Sequence, residues 1–175
     1  MQCAKSKEKG FTFTEVLVTI TIIIIGASIA IPHLQGYIIN RNLESAARDV
    51  ESSFYALREE AIAQNIVNCN NNFAITFDVA NNDYTTTGLL SNCTTVSQTK
   101  SPAYFGNDVK FTSNIGAPCY SGASTTFNAT GSVVFLSRGI MNPPSGTILL
   151  TNSRGSTATI TYYLTGKTNV CFNLK

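Results

Sequence analysis

Glu15 stands near the start of a nearly unbroken apolar run of about twenty residues, Phe11 to Ile31, long enough as a helix to cross a bilayer. A carboxylate in such a layer costs about 2.5–3.5 kcal/mol, so the chemistry it offers is pairing with a cation. Cys69, Cys93, Cys119 and Cys171 form an even set beyond this run, and Cys3 precedes it. Their wide spacing contains no C-x-x-C pair, which argues for disulfides and against zinc. Four cysteines allow three pairings, among which the sequence does not choose. The arrangement favoured here is Cys69–Cys93, closing a loop, with Cys119–Cys171 tying down the last strand. His33 is the single histidine. A Ser-His-Asp relay would have to use it beside Pro32 at the end of the apolar run, so it is read as an interfacial residue. Gly166-Lys167-Thr168 ends like a phosphate-binding loop, but the glycine required five residues earlier is Thr161. No catalytic residue, metal site or cofactor is expected, and the chain is not expected to be an enzyme.

The elements that position these residues follow from composition and period. Residues 1–10 form a polar leader carrying Lys5, Lys7 and Lys9 against Glu8; its positive excess should stay cytoplasmic and send the remainder outward. Residues 11–32 form the expected transmembrane and assembly helix, in which Val16–Ile31 is apolar on every side, as a membrane span should be, with Gly26 and Pro32 as weak points where the helix should kink or loosen. Over 33–66 the pattern turns amphipathic. Leu43, Ala46, Ala47, Val50, Phe54, Leu57 and Ala61 recur at steps of three and four, one stripe of a helix. One continuous helix is expected from about Thr14 to about Asn65 and is stopped by Asn68–Asn72.

Residues 67–175 read as a β-rich domain. Short runs at Phe73–Asp78, Val109–Ser113, Thr125–Asn128, Ser132–Ser137, Thr147–Thr151, Thr157–Thr165 and Val170–Asn173 are separated by glycine and asparagine. Residues 80–104 are polar and poorly patterned, and a long surface loop is expected there. The fold class is therefore α+β, a long N-terminal helix packed on a C-terminal antiparallel β-sheet domain.

The chain has 12 Lys+Arg and 10 Asp+Glu over 175 residues. Removing the leader's three lysines and one glutamate leaves nine against nine, so overall charge gives no support for nucleic-acid binding. The charge is unevenly placed. Lys110, Arg138, Arg154, Lys167 and Lys175 face only Asp108 in residues 101–175, whereas 33–66 is acidic. Two solvated faces account for this. Asn92-Cys-Thr94 and Asn128-Ala-Thr130 match a glycosylation pattern that is short and common in such chains, and are read as chance.

Lys9, Gly10, Phe11, Thr12, Glu15 and Pro32 together resemble the class III signal of type IV pilins and pseudopilins. The resemblance implies cleavage between Gly10 and Phe11 by a prepilin peptidase and methylation of the new Phe11 amine. It also implies pairing of Glu15 with a neighbouring subunit's Phe11 amine, and local melting between Gly26 and Pro32 in the filament. An ordinary secretory signal cut near Ala27, Ser28 and Ala30 is the alternative, and an acid at the edge of the apolar region speaks against it.

The stretches Thr126–Gly131, Gly146–Thr151 and Ile160–Cys171 resemble the GspH/FimT group, minor pseudopilins of type II secretion and minor pilins of type IV pili. That implies a single-pass protein of the inner membrane with its β-rich domain outside the cytoplasm, assembled with other pilin or pseudopilin subunits. DNA-uptake members of the FimT type carry a Gly-Arg-x-Arg motif where this chain has Gly166-Lys167-Thr168-Asn169. One cation is kept as lysine and the second is replaced. A lysine is a point charge without arginine's planar fork, and fewer phosphate contacts mean weaker DNA binding. DNA uptake is therefore the alternative role and is not favoured; Lys167 would be its contact, with Arg154 and Lys175 as helpers.

Overall fold

The computed structural model describes residues 10–64, 73–89, 94–112, 130–136 and 138–175, without the side chains of Pro32, His33, Gln64, Leu89 and Thr130. The leader before Gly10, the expected stop at Asn68–Asn72, the strand at Thr125–Asn128, Asn92 and Cys3, Cys69, Cys93 and Cys119 lie outside the described residues. The chain divides into two compact units, Met1–Tyr37 and Ile38–Lys175. Helix α1, Phe13–Gln64, contributes to both.

In the first unit α1 is apolar and exposed. Its few hydroxyls turn back on the helix. Thr19 Oγ1 donates to Val16 O at 2.8 Å, Thr21 Oγ1 to Leu17 O at 2.8 Å and Ser28 Oγ to Ile25 O at 2.7 Å. In lipid no water would satisfy these groups, so the bonds remove the cost of placing them in an apolar run. Residue 32 is helical, so proline does not end the element.

In the second unit the expected stripe is the buried face of the helix: Leu43, Ala46, Ala47, Val50, Phe54, Leu57 and Ala61 are all at most 5% exposed. Among the described residues nine strands follow: β1 Phe73–Asp78, β2 Asp83–Leu89, β3 Thr95–Lys100, β4 Lys110–Phe111, β5 Thr130–Phe135, β6 Met141–Asn142, β7 Ser145–Thr151, β8 Thr157–Tyr163 and β9 Thr168–Asn173. They form two antiparallel sheets, ordered β3-β2-β1-β5-β6 and β4-β7-β8-β9. Phe54 joins the helix to both sheets. Its ring packs on Phe77 and Phe135 of the first, at 6.1 and 5.9 Å, and on Tyr162 of the second, at 5.5 Å. Burying one such aromatic contributes about 1.5–3 kcal/mol.

Within the stretch 80–104, expected to be a long surface loop, residues 83–89 and 95–100 instead form β2 and β3, an antiparallel pair joined to β1 with Ile75 opposite Thr86 and Thr85 opposite Thr99. Among the described side chains of this hairpin only Tyr84 is fully buried, and β3 is exposed along its whole length. Hydroxyl pairs take the place of apolar alternation: Thr85–Thr99 at 2.9 Å and Thr87–Ser97 at 3.3 Å. Such cross-strand pairs stabilise a sheet without the hydrophobic period that reveals a strand in sequence. The expected strand at Val109–Ser113 shrinks to the two residues of β4. Both faces of β7 and β8 are covered, since Ile148 and Ile160 pack toward the core while Thr147, Leu149, Thr159 and Thr161 are also buried.

Candidate functional site

The start of α1 is built by Thr12. Its Oγ1 accepts a hydrogen bond from Glu15 N at 3.3 Å, and its carbonyl accepts from Glu15 N at 3.1 Å and Val16 N at 3.2 Å. Thr-x-x-Glu is the sequence form of a capping box, and an acid in the first turn complements the positive end of the helix dipole. Glu15 is exposed, and Phe11 and Phe13 are each 80% exposed. Among the described residues one helix, Phe13–Ala63, is long and apolar enough to span a membrane, and none of its most apolar window is buried. A soluble protein's core helix would bury that window. Here an acid and two phenylalanines stand at the start of that exposed apolar stretch.

Gly10 has open space around it, since a Cβ there would meet nothing within 4 Å. Cys171 is disulfide-bonded; the other cysteines lie outside the described residues. It lies opposite Thr159, on the side of β8 turned away from the helix.

The basic residues singled out in the sequence do not converge. Arg154 lies in the β7–β8 turn. Lys175 reaches the same turn, its Nζ 3.4 Å from a Cβ built on Gly155 and its backbone N donating to Ser156 Oγ at 2.9 Å. Lys167 lies in the β8–β9 turn, beyond the other end of β8. A strand rises about 3.3 Å per residue, so β8 holds Lys167 on the order of 20 Å from both. The residue before it, Gly166, lies against Arg58 of α1 and the Arg138–Gly139 turn: a Cβ built on Gly166 would lie 2.2 Å from Arg58 Nε and 3.0 Å from Gly139 O. Sequence reading missed this grouping because its members come from three distant segments.

A cleft of about 530 Å³ is lined by Asp49, Thr99, Lys100, Ser101, Tyr104 and Phe105. Its charges are already used. Lys100 pairs with Asp49 at 3.3 Å, and Asp49 also accepts from Tyr84 OH. Burial, reinforced by that carboxylate, pushes the Tyr84 hydroxyl above its ordinary pKa, and burial alone does so for Tyr162. Asp78 is held below the usual carboxylate value by hydrogen bonds from Asn81 and Ala80. No group of three His, Cys, Asp or Glu able to hold a metal occurs among the described residues.

Residues 5–31 match the family described as the prokaryotic N-terminal methylation motif. The match supports a type IV pilin-like chain. Such chains are structural and not enzymatic; the motif implies processing by a prepilin peptidase and assembly with other pilin subunits. The capped, exposed start of α1 is the part of this pilin-like chain that the match covers, and it ends at Ile31, short of the β-rich domain. No curated protein and no solved structure matches the chain.

Proposed function

We propose that this chain is a minor pilin or pseudopilin of the GspH/FimT kind, a structural subunit held in the inner membrane by α1 and then incorporated into a type IV pilus or a type II secretion pseudopilus. Cleavage after Gly10 would make Phe11 the mature N-terminus. The observation that carries the proposal is the apolar stretch of α1 from Phe13 to Ile31, exposed throughout, with Glu15 in its first turn and lying within the segment that matches the methylation motif. A lone carboxylate in lipid is costly, and a neighbour's Phe11 ammonium would relieve that cost. The helices of adjacent subunits would thereby be set in register. Pro32 would supply the point at which α1 loosens on assembly.

The β-rich domain would sit outside the cytoplasm, where the disulfides Cys69–Cys93 and Cys119–Cys171 are proposed. Peptide mapping without reduction tests that pairing. The three proposed DNA contacts do not form one site: Arg154 and Lys175 share the β7–β8 turn while Lys167 lies beyond the other end of β8, which supports the structural role adopted here.

Glu15→Val tests the proposal. It should leave membrane insertion intact and lower the amount of the chain recovered in sheared filaments or in pseudopilus complexes. Recovery equal to the unsubstituted chain would remove the basis for the assignment.

A further inference from the structure

Three elements meet near the C-terminal end of α1, and together they present cations among aliphatic side chains. The Arg138–Gly139 turn and the β8–β9 turn close over Arg58. A Cβ on Gly139 would lie 2.8 Å from Ile62 Cδ1 and 3.0 Å from Arg58 Cγ, and one on Gly166 would lie 2.4 Å from Arg58 Cδ. Met141 N donates to Leu164 O at 3.2 Å, which joins the two connections. Arg58 is thereby pinned, and its buried Nε has no hydrogen-bond partner among the described residues. Arg138 and Lys167, in these two turns, are exposed. Neither forms an ion pair among the described residues, whose two ion pairs are Arg41–Glu44 and Lys100–Asp49. Around them Ile62, Ile140 and Leu164 are 45%, 37% and 48% exposed.

Arg138 also holds a left-handed φ of 83°, which costs a non-glycine residue on the order of 1–3 kcal/mol. Three carboxylates of α1 are near in sequence, and none forms an ion pair with these cations among the described residues: Glu51 accepts from Thr168 Oγ1 at 3.3 Å, Glu59 is exposed, and Glu60 lies 3.0 Å from a Cβ built on Gly88.

We propose that this end of the domain docks a neighbouring filament subunit through a surface that presents carboxylates beside apolar side chains. The inference rests on the filament role proposed above. Phosphates would satisfy the three cations but leave Ile62, Ile140 and Leu164 in water, whereas a protein surface covers both. The sign of the charge also fixes the geometry. A two-fold contact between identical patches would set cation against cation, so the partner surface must be a different one. Contacts between unlike surfaces build open helical arrays and not closed dimers, which is what a filament requires.

The test uses the full-length chain in cells that assemble the filament. A photo-crosslinking residue is placed at Ile140 or Leu164. Cross-links are expected to this chain or to another subunit carrying the same N-terminal motif, mapped to an acidic stretch. Arg138→Glu combined with Lys167→Glu should lower their yield by about tenfold, as reversed charges across an interface do, with N-terminal processing unchanged. Arg138→Gly guards against misfolding as an explanation. Glycine suits this φ, so that variant should be at least as stable as the parent and still cross-link less. Undiminished cross-linking in the charge-reversed chain overturns the proposal. So does incorporation into filaments with no cross-link at either site, which leaves the filament role standing. Tight duplex-DNA binding by the purified chain through these cations also overturns it. Absence of the unsubstituted chain from filaments overturns both.

Discussion

The hydroxyl of Tyr84 on β2 donates a hydrogen bond to the Asp49 carboxylate on α1. The same carboxylate takes the Lys100 ammonium of β3 at 3.3 Å. One side chain of the helix therefore fastens both strands of the hairpin that the sequence reads as a loop.

Asp49→Ala should unfasten that hairpin. It leaves a buried hydroxyl with only the 3.4 Å contact to Ser53 Oγ and removes the partner of Lys100. A loss of about 1–3 kcal/mol is expected, measured as a lower midpoint of denaturant unfolding. Tyr84→Phe removes donor and need together on the tyrosine side and should cost less.

Alkaline pH should weaken the domain. Tyr84 and Tyr162 have folded-state pKa values raised above the ordinary tyrosine value of about 10 by burial. A raised pKa means that their contribution is fully present below about pH 10 and is lost as pH rises through the folded values, because the unfolded chain ionises first. Each ring should contribute a slope of about 1.4 kcal/mol per pH unit in that window. Unfolding midpoints at pH 9 to 11, compared with Tyr84→Phe and Tyr162→Phe, check this; each replacement should flatten the fall.

Gly146→Ala should destabilise the second sheet. Gly146 faces Tyr162 across β7 and β8, and a Cβ there would lie 2.3 Å from the Tyr162 hydroxyl and 2.5 Å from its ring carbons. That ring is fully buried and stacked on Phe54, so it has nowhere to move. A cost of about 1–3 kcal/mol is expected for such overpacking, read from thermal unfolding. A midpoint unchanged from the parent would contradict the close approach.

Weak, salt-sensitive retention is the expected outcome of duplex-DNA binding assays with the full chain in detergent. Lys167→Ala should reduce what binding there is, and Arg154→Ala should not change the effect of Lys167→Ala, because β8 separates the two. Strong coupling between these two substitutions would contradict the separation.

The helix and its buried stripe were legible in the sequence because their apolar residues follow a single period against one partner surface. Each stripe residue from Leu43 to Ala61 is buried. The hairpin β2–β3 was not legible, because threonine and serine occupy both of its faces and Tyr84, the one large buried side chain among its described residues, has no apolar neighbour two residues away. Glu15 could be singled out as the one acid within the apolar run. The grouping of Arg58, Arg138 and Lys167 could not, because two turns and a helix bring together residues far apart in the chain, and no local pattern encodes that approach.

The mass of the mature N-terminus tests the central claim most directly. The chain should be isolated from the membrane or filament fraction of cells that express a prepilin peptidase. A chain beginning at Phe11 with a methylated amine is the predicted result. A chain beginning near Ile31, released as a secreted β protein, or one retaining the leader through Gly10, would contradict the account.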